Sequence, residues 1–141
     1  MSKYITRDFP EVTFDDNTVQ QLHRLLEAMD GCNYNIDYEN HGIWLTAKEE
    51  EAELRLHTLS NIKLTVSRVC FHHKRAGIMT AVFEILKSFC RQNSVGKIVI
   101  ESVLTQEMSS WCEKNGFVPD PYSSMQYQGY ITGNWNYDVN T

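Results

Sequence analysis

The chain has 141 residues, 42% of them hydrophobic and 22% charged, which is the length of one domain and an ordinary globular balance. It is read as a single domain over 1–141, not as a disordered chain, which needs low hydrophobicity and high net charge. With 13 Lys and Arg against 18 Asp and Glu the net charge is −5, which argues against the basic surface of a nucleic-acid binder and suits a cationic partner better.

No apolar run approaches the roughly 20 residues that a membrane helix needs. The first residues, M-S-K-Y-I-T-R-D, lack the apolar stretch of a secretion signal. Cys32, Cys70, Cys90 and Cys112 show no short metal or redox spacing, so reduced thiols in a cytoplasmic protein are expected.

The first predicted element is a helix over 17–30, where Val19, Leu22, Leu25, Leu26 and Met29 recur at helical spacing. Asp15, Asp16, Asn17 and Thr18 offer caps at its start, and Gly31 a left-handed stop. Three alternating runs follow. Ile43, Leu45 and Ala47 are one, Ala52, Leu54 and Leu56 another, and Ile62, Leu64 and Val66 the third. Short gaps between period-2 runs predict an antiparallel meander. The charged stretch 48–51 between the first two reads as a solvated tip.

The period then changes. Ile78, Val82, Ile85 and Phe89 share a helical face, ended by Asn93 to Gly96. Lys97 to Val103 form a β-rich, largely buried strand. Thr105 can cap a further helix with Met108, Trp111 and Cys112 on its apolar side, stopped by Asn115-Gly116. The tail alternates again around Gly133-Asn134, which fits a two-residue hairpin turn. Trp135 and Tyr137 there serve either as core or as an edge that pairs with a second subunit, and a homodimer is the expectation.

The most informative junction lies between the third run and the second helix. A strand leads into His72-His73-Lys74-Arg75, then Gly77, then a helix start. The first helical N–H groups lack intrahelical partners and carry the positive end of the helix dipole. An anionic diphosphate can bind there, and Gly77 lets it approach closely. Lys74 and Arg75 add cationic charge. The adjacent His72 and His73 have no identifiable third ligand, so no metal site is expected.

This junction resembles the GNAT superfamily, N-acetyltransferases that use acetyl-CoA. The family's coenzyme loop has Gln or Arg, two residues, Gly, one residue, then Gly or Ala. The chain has Lys74-Arg75-Ala76-Gly77-Ile78-Met79, with Lys74 and Met79 departing from the pattern. Glu113-Lys114-Asn115-Gly116-Phe117 is similar to the family's Tyr-Glu-Lys-Leu-Gly-Phe. The resemblance covers 43–118 well and the ends by element order alone.

It implies an α+β fold, a GNAT-like mixed, mostly antiparallel twisted sheet flanked by helices. The sheet would splay between the family's fourth strand, here 62–71, and its fifth, here 97–104. The pantetheine arm would lie in that wedge, paired with backbone groups of Val69 and Phe71. The N–H of Val69 or Cys70 would polarise the thioester. The amides of Arg75, Ala76, Gly77, Ile78 and Met79 would hold the diphosphate beside Lys74. Thr105 stands where the family has a coenzyme-binding Asn.

Two catalytic candidates follow. Glu101, in an otherwise apolar strand beside the wedge, is the candidate base, because desolvation raises a carboxyl's pKa; it either faces the wedge or points to solvent. Cys112 stands where the family often has a Tyr acid, and either donates a proton or packs the helix. Tyr122 or Tyr127 of the tail offers an alternative hydroxyl. The expected activity is acetyl transfer from acetyl-CoA to a primary amine of a small molecule or a protein. The alternative is a GNAT-fold binding or inhibitory protein without turnover.

Overall fold

The computed structural model describes residues 10–74 and 77–140. Helix α1, Asp16–Asp30, leads into four antiparallel strands. They are β1, Asn35–Glu39, β2, Gly42–Ala47, β3, Ala52–Leu59, and β4, Lys63–Cys70. Helix α2, Ile78–Gln92, crosses over to β5, Lys97–Val103. Helix α3, Gln106–Lys114, then precedes β6, Val118–Pro119, β7, Met125–Tyr127, and β8, Tyr130–Asp138. Among the described residues no helix is long and apolar enough to cross a membrane.

Local chemistry sets the helix limits. The Asp15 carboxylate accepts from Thr18 N at 3.0 Å and caps α1, while Gly31 closes it at φ 68°. Thr105 Oγ1 accepts from Met108 N at 3.2 Å and caps α3. The strands form one mixed sheet in the order β1-β2-β3-β4-β5-β8-β6, with β7 paired to β8. Among the described residues only β4 and β5 run parallel. The stretch 48–51 is a short 3₁₀ turn in which Lys48, Glu49 and Glu51 are exposed.

One sheet face carries the core. Ile43, Leu45, Leu54, Leu56, Leu64, Val66, Ile98, Ile100 and Trp135 pack with Leu22, Leu26, Val82, Leu86, Phe89 and Cys112. Helices α1, α2 and α3 all contribute to this cluster, so they cover the same side of the sheet. Strand alternation turns Trp44, Arg55, Thr65, Val99 and Glu101 to the other side. There Arg55 pairs with Glu39 at 2.8 and 3.0 Å and lies 4.5 Å over the Trp44 ring.

Three sequence expectations change. The strand β1 went unread, because N-I-D-Y-E has only Ile36 and Tyr38 to alternate with three polar residues and is largely exposed. The hairpin turn is at Gln128 and Gly129, between the paired Tyr127 and Tyr130. Gly133 instead lies inside β8 with φ 104°, where the β5–β8 register shifts. A Cβ on Gly133 would stand 2.3 Å from the Ser123 carbonyl oxygen, so a close chain approach demands glycine. Finally, β8 is internal, bonded to β5 on one side and to β6 and β7 on the other. Trp135 is 2% exposed, and Tyr137 packs on Phe83 and Phe117. Trp135 is a core residue, Tyr137 is half-buried against the core, and neither offers an edge to a second subunit.

Candidate coenzyme cleft

Strands β4 and β5 are paired only at Leu64–Ile98, Thr65–Val99 and Val66–Ile100. Beyond Val66 they part, and β4 continues unpaired on that side to Cys70. A cleft of about 440 Å³ opens there. Val69, Cys70, Phe71, Ile78, Met79, Met108 and Trp111 give it mostly apolar walls. Lys74, Gly77 and Thr105 stand at its polar parts.

Gly77 is the N-cap of α2 at φ 76°, with no side-chain cap. The first helical bond runs from Ala81 N to the Gly77 carbonyl at 3.1 Å. The amides of Ile78, Met79 and Thr80 thus precede the helical ladder and face the positive end of the dipole. A Cβ built on Gly77 meets nothing within 4 Å, so the space above this turn is open. Lys74 is exposed, its Nζ 3.3 Å from Cys70 Sγ. The far wall is tied to α2, where Trp111 Nε1 donates to Thr80 Oγ1 at 3.0 Å.

The structure therefore gathers Val69, Cys70, Phe71, Lys74, Gly77, Ile78, Met79 and Thr105 around one cleft. Arg75 and Ala76 lie outside the described residues. Two predicted residues do not line it. Glu101 is half-buried, one residue past the last β4–β5 pair, and alternates away from Ile100 to the opposite sheet face. Cys112 is fully buried in the core, and burial pushes its thiol up to about 12. Tyr122 and Tyr127 are exposed on the tail and line no part of the cleft. The His72 and His73 rings meet edge to face at 4.7 Å, and the described residues contain no cluster of metal-ligating side chains.

Sequence reasoning missed Thr80, Glu107 and Trp111 as cleft residues. It also missed Asp30. This carboxylate, 0% exposed at the end of α1, accepts from His72 N at 2.9 Å and His73 N at 2.6 Å. It also accepts from the Tyr34 hydroxyl at 2.6 Å. Burial alone would raise its pKa, but these donors outweigh burial and hold the carboxyl below its ordinary value. The Tyr34 hydroxyl is pushed strongly up, by burial first and by its bond to Asp30 second. An acid in a helix's last turn opposes the dipole, and that mismatch was the signal available in the sequence.

The architecture matches solved acetyltransferases. The ribosomal-protein-S18-alanine N-acetyltransferase from Escherichia coli superposes with a TM-score of 0.53 at 11% identity, over 91% of this chain and 92% of that one. The chain has the GNAT fold. Nourseothricin acetyltransferase gives 0.53 at 12% identity, and aminoglycoside 6'-acetyltransferase type Ii gives 0.51 at 15%. Both cover 91% of this chain and 96% of their own. No protein-family model and no curated protein matches the sequence. In this GNAT fold the parting of β4 and β5 and the uncapped start of α2 meet at one cleft.

Proposed function

We propose that this chain is a one-domain N-acetyltransferase that takes acetyl-CoA as its acetyl donor and a primary amine as acceptor. The observation that carries the proposal is the cleft between the parted strands, closed at one end by the open, uncapped Gly77 turn. Acetyl-CoA would supply the activated acyl group. Its diphosphate would be held by the amides of Gly77, Ile78 and Met79, aided by Lys74. The unpaired inner edge of β4 at Val69 and Cys70, continued by Phe71, would take the pantetheine arm as an added strand. Thr105 would contact it from the start of α3.

The chemistry asks three things of the protein. An N–H at Val69 or Cys70 would donate to the thioester oxygen as negative charge develops there. The acceptor must be uncharged to attack, and an alkylammonium has an ordinary pKa of about 10.4. Glu101 would take its proton from the sheet face opposite the coenzyme, because it is the first β5 residue beyond the pairing with β4. A group in the core cannot protonate a thiolate in the cleft, so Cys112 has a packing role and the thiolate leaves to solvent. The excess of acidic residues favours a cationic acceptor.

The buried Cys112 also gives the second reading its support: a GNAT-fold protein that holds coenzyme and a macromolecular partner without turnover. Release of free thiol from acetyl-CoA, measured over a panel of small amines, peptide N-termini and lysines, separates the two. Amine-dependent thiol release is expected. Tight acetyl-CoA binding with no release over any amine would favour the second reading.

A further inference from the structure

Asp30 and the segment leaving β4 are 42 and 43 residues apart in sequence, yet two consecutive backbone amides of that segment end on its carboxylate. Oδ2 takes His72 N and the Tyr34 hydroxyl, and Oδ1 takes His73 N. The His73 ring adds a contact of 2.7 Å from Nδ1 to the Asp30 carbonyl oxygen. A buried carboxylate is costly unless its lone pairs are used, and here both oxygens are used. Two neighbouring peptide planes held by one rigid group cannot rotate independently. These two amides are thereby committed, so an anion at the cleft must draw its donors from further along the chain.

We infer that Asp30 is a positioning residue for the coenzyme loop. It fixes residues 72 and 73 so that Lys74 stands at the cleft before any ligand arrives. The inference rests on the coenzyme reading above. It assigns the loop's preorganisation to α1, an element that does not line the cleft. Asparagine cannot replace the aspartate, because it offers one acceptor oxygen and sets an amide donor against another donor. Tyr34→Phe removes one donor and leaves both loop bonds, so it separates general stability from loop positioning.

The test compares wild type, Asp30→Asn and Tyr34→Phe by amide hydrogen exchange without ligand, and by calorimetric titration with acetyl-CoA. In Asp30→Asn the His72 and His73 amides should exchange roughly tenfold faster or more, and the Kd for acetyl-CoA should rise by a similar factor. The KM for the amine and kcat at saturating coenzyme should stay unchanged. Tyr34→Phe should melt lower and bind within about threefold of wild type. If Asp30→Asn does not fold, His73→Pro removes the His73 N–H donor together with the ring contact to the Asp30 carbonyl and should show the same loss of affinity. Wild-type affinity in a folded Asp30→Asn or His73→Pro protein would overturn the inference. So would an affinity loss in Tyr34→Phe equal to that in Asp30→Asn. Failure of the wild type to bind acetyl-CoA would instead overturn the coenzyme reading, and the exchange rates would still decide whether Asp30 holds the loop.

Discussion

Trp111 Nε1 lies 3.0 Å from Thr80 Oγ1, a hydrogen bond that ties the first turn of α2 to α3 across the mouth of the cleft. The indole also meets Phe83 edge to face at 5.4 Å and Phe117 at 5.6 Å. One side chain thus anchors the far wall in the aromatic cluster and holds it to the helix start. Trp111→Phe keeps the ring contacts and loses the bond, as does Thr80→Val. Each should cost about 0.5–1 kcal/mol, the range for a partly exposed hydrogen bond. Because both remove the same bond, the double variant should cost less than the sum. Thermal melts of the four proteins check this, and full additivity would show that the bond contributes nothing.

The cysteines should separate by burial. Cys32 and Cys70 are half-buried, whereas Cys90 and Cys112 are buried, with thiols pushed up to about 12 by burial. A thiol reagent should label Cys32 and Cys70 in the native protein and reach the other two only on unfolding. Cys112→Ala should lower stability by about 1–2 kcal/mol through lost packing and leave turnover within a factor of two or so. A large fall in turnover with unchanged stability would return Cys112 to the chemistry.

Acid should act on the fold through Asp30. Its native pKa lies below its usual value of 3.8. Its contribution is therefore fully present above about pH 4 and is lost as pH falls through the lower native value. The groups facing it are the Tyr34 hydroxyl, the His73 ring and the Cys32 thiol. Tyr34 and Cys32 remain neutral in that range, because burial, the largest cause in each, raises both. Denaturant titrations between pH 6 and 2 should show wild type losing more stability than Asp30→Asn. Equal losses would contradict this assignment.

Gly133 offers a purely steric test. Its φ is 104°, and an added Cβ would meet the Ser123 carbonyl oxygen at 2.3 Å. Gly133→Ala should destabilise by roughly 2–4 kcal/mol, combining backbone strain with overpacking. Gly77→Ala meets no atom within 4 Å, so it should cost only about 1 kcal/mol of strain. Chemical denaturation of the two variants side by side would show the difference, and equal costs would contradict the close approach at Gly133.

Much of this architecture was legible because its determinants are local. Asp15, Gly31, Thr105 and the Asn115-Gly116 pair mark helix ends through bonds to their own neighbours. The strand-loop-helix unit ending at Gly77 is likewise contiguous. The residues that sequence reading left open depend on distant partners. Alternation limits Glu101 to two faces, and only the register with β4 and β8 chooses between them. Cys112 stands on the apolar stripe of α3, where the packing of α2 decides between core and cleft. Asp30 looks like an ordinary last-turn residue until His72 and His73 fold back onto it. The same holds for β1, a polar strand defined by its pairing with β2, and for Gly133, whose constraint comes from Ser123.

The central claim is that the parted strands and the Gly77 turn form an acetyl-CoA site, and the most direct measurement is calorimetric titration of wild type and Gly77→Val with acetyl-CoA. A β-branched side chain there strains the left-handed turn and fills the open space over the first-turn amides. The expected result is saturable, one-site binding in wild type that weakens by at least roughly tenfold in a folded Gly77→Val protein. Absence of binding in wild type at about 1 mM acetyl-CoA, an affinity no better than about −4 kcal/mol, or equal affinity in both proteins would contradict it.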